Sequence, residues 1–115
     1  MVNKVFLLGR LTADPEVKAT PKGTYVANMR VATNTYAGKD EDGNRAEHAE
    51  FHNLVAFGKT AEFCGQYLHK GGMVHAEGHL HHSSWEDAAG LKHYRTEVIA
   101  EEIRGLDRKP QEVAA

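Results

Sequence analysis

The chain has 115 residues, carries 14 Lys and Arg against 16 Asp and Glu, and contains a single cysteine, Cys64. That length supplies one core and no second domain, and a lone cysteine excludes a disulfide-stapled secreted scaffold. The formal charge of −2 gives no sign of a polyanion partner, and acidity gathers late: residues 1–70 hold nine basic and eight acidic side chains, residues 71–115 five and eight.

The first apolar run, Val5-Phe6-Leu7-Leu8, is too short for a signal peptide or a bilayer span, so no membrane partner and a cytoplasmic location are expected. It belongs to a first strand over 4–10, which ends in a loop containing Asp14-Pro15 and Thr20-Pro21-Lys22-Gly23. A second strand is predicted over 24–34, where Asn28, Arg30 and Asn34 alternate with Ala27, Met29 and Val31, so that one face is wet or binds something. The polar stretch 37–46 carries the turn signal Asp42-Gly43 and leads into a third strand over 50–57. A helix is expected over 59–69, with Phe63, Cys64, Tyr67 and Leu68 on one face and Gly71-Gly72 as its stop. A fourth strand over 73–83, a turn at Ala88-Ala89-Gly90 and a fifth strand over 92–103 complete the order.

Five strands with one helix between the third and fourth is the order of an all-β OB-fold, a five-stranded Greek-key barrel. The domain is expected over 1–104, followed by a short flexible tail over 105–115. In that fold the strand 2–3 face and two flanking loops take up oligonucleotides or oligosaccharides. This chain places its unusual side chains in those segments.

A protein that holds single strands needs flat π-faces for bases and cations for phosphates. Tyr36 stands where the second strand enters the polar hairpin, and Phe51 and Phe57, six apart, share one strand face. Trp85 is expected in a polar loop just beyond the fourth strand, between Ser83-Ser84 and Glu86-Asp87. Phe57 reads equally well as core, since Leu54-Val55-Ala56-Phe57 is also the pattern of a strand buried on both sides. Tyr36 reads also as an ordinary hairpin residue, and Trp85 as a lid over the barrel end. The cations near these rings in sequence are Lys4, Arg10, Lys18, Arg30, Lys39, Arg45, Lys59, Lys92 and Arg95.

Taken together, Val2-Asn3-Lys4-Val5, Asp14-Pro15-Glu16-Val17, Val26-Ala27-Asn28, Phe57-Gly58-Lys59, Tyr67-Leu68, Glu77-Gly78, Trp85 and Tyr94-Arg95-Thr96-Glu97-Val98 resemble the bacterial single-stranded DNA-binding protein family, in unbroken order from residue 2 to about 103. The resemblance implies an OB-fold that assembles as a homotetramer and protects single-stranded DNA, with little sequence preference, during replication, recombination and repair at the nucleoid. It places base stacking on Tyr36, Phe51, Phe57 and Trp85 and a subunit contact on His52. Phosphate contacts are expected on Lys4, Arg10, Lys18, Arg30, Lys59 and Arg95, and further subunit contacts on Asn3, Lys4 and Val5. Three departures from the family pattern stand out. The stretch Leu80-His81-His82-Ser83-Ser84 precedes Trp85 where the family is rich in Arg and Lys, Tyr36 and Phe51 stand at places often given to Trp, and Glu112-Val113-Ala114-Ala115 ends the chain without an acidic tip for recruiting partners.

Eight histidines raise the question of a metal. His48-Ala49-Glu50-Phe51-His52 has its glutamate one place too late for a zinc-protease motif and lies in a strand, where positions four apart are about 13 Å away from each other. His75, Glu77, His79 and His81 share a strand face, but at nearly 7 Å spacing, which suits a polar surface better than a tetrahedral site. Cys64 on an apolar helix face is expected to be inert, and no phosphate-cradling loop or nucleophile elbow is present. No cofactor, metal or enzymatic activity is expected. Because His81 shares a face with Trp85, affinity for DNA is expected to rise as pH falls through about 6.5. The rival expectation is an interaction module, an OB-fold of a primosome-like assembly for which nucleic acid is secondary.

Overall fold

Residues 25–39 alternate between apolar and polar along their first half, and this period of two builds the longest strand of the molecule. The computed structural model describes residues 1–107. Its elements are β1 (Val5–Leu11), β2 (Glu16–Ala19), β3 (Tyr25–Lys39), β4 (Arg45–Phe57), α1 (Gly58–Tyr67), β5 (Met73–Glu86) and β6 (Lys92–Gly105). The expected five strands and helix are all present, and all of these strands but the first are longer than the sequence suggested. β2 is an addition inside the predicted first loop. It pairs with β3 from Glu16↔Asn28 to Ala19↔Tyr25, and Val17 packs on the helix at Gly65, where a Cβ would lie 2.8 Å from Val17 Cγ2.

The sheet order β1-β5-β6-β4-β3 closes on itself because β3 returns to β1 at Arg10↔Ala32 and Leu11↔Val31. This is a closed five-stranded OB barrel with one helix between β4 and β5. Its core is filled by alternate residues of each strand, among them Leu11, Ala27, Met29, Val31, Leu54, Ala56, Val74, Ala76, Val98 and Ile103, all buried. The helix adds Ala61 and Cys64 to this core, with Phe63 and Leu68 partly buried against it; Tyr67, expected on the same face, is exposed, its ring 5.2 Å from that of Phe63. The helix stops at Tyr67, two residues earlier than predicted, because Leu68 turns extended while its N–H still donates to the Cys64 carbonyl at 3.1 Å.

Burial pushes the Cys64 thiol up to about 11. Only the thiolate attacks disulfide reagents. Native protein is therefore expected to be inert to an aromatic disulfide reagent at pH 8 and to react stoichiometrically once unfolded in guanidinium; prompt labelling of the native chain would contradict this burial.

Two hairpins outgrow the barrel. β4 and β6 run parallel and pair only at Leu54↔Val98 and Val55↔Ile99. Before that junction, β4 is paired with β3 out to Lys39↔Arg45, and β6 with β5 out to Glu86↔Lys92. Both ribbons therefore leave the barrel at the same end. Their tips are built alike. At Asp40–Asn44 the aspartate Oδ1 accepts from the N–H groups of Asp42 (3.0 Å) and Asn44 (2.9 Å), and at Asp87–Leu91 Asp87 Oδ1 accepts from Ala89 (2.9 Å) and Leu91 (3.0 Å). Gly43 and Gly90, at φ +80° and +79°, supply the left-handed residue that each turn requires. Thr20–Thr24 closes the β2–β3 hairpin in the same way, with Thr20 Oγ1 in place of the carboxylate and Gly23 at φ +83°.

The first three residues of the predicted tail are part of the fold. Gly105 completes β6, the Leu106 N–H donates to the Met73 carbonyl (2.9 Å) and Asp107 accepts from the Met73 N–H (3.0 Å). The rest of that tail, 108–115, lies outside the described residues. Among the described residues no helix is long and apolar enough to cross a membrane.

Candidate nucleic-acid interface

Register decides which side chains share a face. Ala27, Met29 and Val31 point into the barrel, so Asn28, Arg30, Ala32, Asn34 and Tyr36 point out, beside their β4 partners Val55, Asn53, Phe51, Ala49 and Glu47. Phe57 ends this same outer face, about 20 Å along β4 from Phe51. On the second ribbon Val74, Ala76 and Val98 point inward, which turns Trp85, Ser83 and His81 outward beside His93, Arg95 and Glu97. The junction joins the two surfaces: Asn28, Val55, Ile99 and His79 form one lateral row across four strands.

All four rings predicted to stack bases are half exposed: Tyr36 51%, Phe51 51%, Phe57 49% and Trp85 49%. The core alternative for Phe57 is thereby set aside. Three consecutive buried residues precede it because Val55, on the outer face, is flanked by Ile99 of β6 while Leu54 and Ala56 enter the core. Trp85 is not in a loop, as its polar neighbours suggested, but inside β5, paired with His93. A two-stranded ribbon wet on both faces needs no apolar alternation, so the sequence pattern fades where the ribbon leaves the barrel.

Three of the four rings have a companion. The Arg30 guanidinium lies 4.4 Å from the Phe51 ring centroid and that of Arg45 lies 4.5 Å from Tyr36, both diagonal cross-strand pairs. A guanidinium on an aromatic face holds the ring in place and puts a permanent charge beside it. Trp85 stacks on the His93 imidazole at 5.5 Å between centroids and 20° between planes, and His93 Nε2 donates to Asp87 Oδ2 at 2.7 Å. That bond from His93, followed by the N–H bonds from Leu91 and Ala89, holds the Asp87 carboxyl below the usual carboxylate range. His93 escaped the sequence reading, and Arg45 was only one cation among nine. Both depend on register, which the Asp-x-x-Gly-x turns would have supplied.

The six predicted phosphate-contacting cations do not form one patch. Arg30 is on the outer face of β3, Arg95 shares the face of Trp85 with its Nε 3.3 Å from Glu97, Lys18 lies in a row with Val26 and Phe57 with its Nζ 3.1 Å from Glu16, and Lys59 is exposed two residues after Phe57. Lys4 precedes β1 and sits 5.6 Å over the Phe6 ring, on no shared strand face with the four aromatics. Arg10 stands in the lateral row of Ala32 and Phe51, but its guanidinium donates to the Gly71 carbonyl at 2.9 Å and faces Asp107 at 3.8 Å.

Of the residues expected at a subunit contact, Asn3 is already engaged within the chain: its Nδ2 donates to the Leu80 carbonyl (2.9 Å) and its Oδ1 accepts from the Leu80 N–H (3.0 Å). Val5 packs at the margin of the core, and the half-buried His52 turns to the inner side of the β3–β4 ribbon, where Nε2 meets Thr33 Oγ1 at 2.8 Å. His81 stands opposite Glu97 in the ribbon. His79 is held by Glu101 at 2.8 Å, and among the described residues no three His, Cys, Asp or Glu side chains converge on a site fit for a metal. An open groove of about 570 Å³ beside the end of α1, lined by Phe63, Tyr67, Leu68 and Met73 among others, touches none of the four rings.

The arrangement is a surface of exposed rings with cations and an imidazole beside them. The chain matches the Single-strand binding protein family over residues 2–106. Among solved structures it is similar to a deletion mutant of the single-stranded DNA binding protein from Thermus aquaticus, at 34% identity and a TM-score of 0.77, over 92% of this chain and 51% of that one. It is similar also to the Plasmodium falciparum SSB complex with ssDNA, at 26% identity and a TM-score of 0.83, over 93% of this chain and 97% of that one. This chain spans about half the length of the Thermus aquaticus protein.

Proposed function

We propose, for a chain that belongs to the Single-strand binding protein family, that it binds single-stranded DNA with little sequence preference and does no chemistry on it. The observation that carries this reading is the placing of four half-exposed aromatic rings on outward faces: Tyr36, Phe51 and Trp85 along two ribbons that leave one end of the barrel, and Phe57 farther along the same β4 face on the barrel wall, with guanidinium groups behind Tyr36 and Phe51. Stacking accepts any base because every base has a π-face, and phosphates are met by point charges that do not read sequence. The Plasmodium falciparum relative is a complex with ssDNA, which supports the same partner here.

The biological setting we propose is the protection of strands exposed in replication, recombination and repair, by a homotetramer in the cytoplasm at the nucleoid. Subunits would meet through Lys4, Val5, His52 and the part of Asn3 not held by Leu80.

Trp85 is the only tryptophan, so its emission reports the site directly. Oligo-dT is expected to quench it stoichiometrically, with affinity that falls as salt rises, and mass determination of the complex gives the subunit count. Equal affinity for duplex and single strand would reject the assignment, and strong protein–protein assembly without DNA affinity would favour the interaction module.

A further inference from the structure

We infer that His93 is a positioning residue for Trp85, an imidazole fixed by Asp87 against one face of the indole so that the ring is already ordered and offers its other face to a base. This rests on the reading of Trp85 as a stacking platform. The geometry is a chain of three groups: Asp87 Oδ2 accepts from His93 Nε2 at 2.7 Å, and the imidazole lies 5.5 Å from the indole at 20°. Trp85 and His93 are directly opposed in the ribbon, so the stack needs no unusual reach.

The other tip shows that this contact is not part of making the turn. Asp40 closes Asp40–Asn44 through Oδ1 alone, and Asp87 closes its own turn with the same Oδ1 bonds to Ala89 and Leu91. The second oxygen of Asp87 is left over, and His93 takes it. One carboxylate thus couples the shape of the tip to the orientation of the ring. A half-exposed indole on a ribbon tip would otherwise have to give up its rotamers when a base arrives; a braced one has done so beforehand. Arg45 on Tyr36 and Arg30 on Phe51 do for their rings what His93 does here, but with a permanent cation and no carboxylate behind it.

The test compares His93→Ala, which removes the brace, with His93→Phe, which keeps the stack and loses the bond to Asp87. In the free protein, time-resolved anisotropy of the single tryptophan is expected to show fast local motion in His93→Ala, little in wild type and an intermediate amount in His93→Phe, where the stack remains without the bond to Asp87. Affinity for oligo-dT at fixed salt should fall about fivefold in His93→Ala, the factor that goes with one side chain left unordered, and should be largely restored in His93→Phe. Unchanged indole motion in His93→Ala overturns the brace. A freed indole with unchanged affinity overturns its role in binding. If Trp85→Ala also binds as wild type does, what has failed is the reading of Trp85 as a stacking platform, while the brace itself stands on the anisotropy.

Discussion

Gly78→Ala is expected to cost about 3 kcal/mol of folding stability, at the upper end of overpacking effects, and to lower the urea midpoint accordingly. Gly78 is buried in β5 where the pairing shifts register: Glu77 faces Glu102, Gly78 faces Ala100, and Glu101 is left over as a bulge in β6. A Cβ at Gly78 would overlap the Ile99 carbonyl oxygen and lie 2.8 Å from its carbon and 3.1 Å from Ala100 Cα. These are backbone atoms of a barrel strand, so no rotamer change relieves them. Ile99 belongs to the row that joins the two ribbon surfaces, and the damage would reach the binding face as well as the core. Gly90→Ala is the control. Nothing lies within 4 Å of its Cβ, and only the strain of φ +79°, about 1–2 kcal/mol, is at stake. A Gly78→Ala protein within 1 kcal/mol of wild type, or no worse than Gly90→Ala, would show that the bulge yields.

Phe51→Ala and Phe57→Ala should each weaken oligo-dT binding by about 1–3 kcal/mol, roughly five- to 150-fold at constant salt. Both rings are on the outer face of β4, half exposed, so truncation leaves the core intact and the loss falls on binding rather than folding. The two sites are about 20 Å apart along the strand and share no partner, so the double mutant should lose close to the sum. Phe51→Ala also removes the surface on which Arg30 lies, and the salt dependence should then show whether the freed guanidinium takes a phosphate in compensation. Titration of fluorescent oligo-dT by anisotropy measures all three variants. If the double mutant bound like wild type, these rings would be packing residues of the ribbon and nothing more.

The barrel was legible wherever one face of a strand is buried. Alternation marked Ala27, Met29 and Val31 against Asn28 and Arg30, and the apolar spacing of 59–69 marked the helix, though not that it ends at Tyr67. It failed where burial stops supplying a pattern. β2 is Glu-Val-Lys-Ala, four residues between two prolines, too short to show a period and visible only through its pairing with β3. Ser84-Trp85-Glu86 and Arg45–Ala49 are strand because their partners are, in ribbons exposed on both faces, and neither stretch carries a strand pattern of its own. The four rings could be named from residue type, spacing and family resemblance. Their companions could not, because Arg30–Phe51, Arg45–Tyr36 and His93–Trp85 are cross-strand pairs that exist only once register is set.

Register in turn is set at the tips, where Asp40–Asn44, Asp87–Leu91 and Thr20–Thr24 close three hairpins by one scheme. A closure that works the same on any ribbon is independent of the ribbon's length. Inserting two residues on each side of such a turn advances the tip by about 7 Å and returns every side chain to its face. The reach of each ribbon is therefore an adjustable dimension of this architecture, and on the proposed function so is the span of DNA it would follow, open to change by insertion while the barrel that carries it stays as it is.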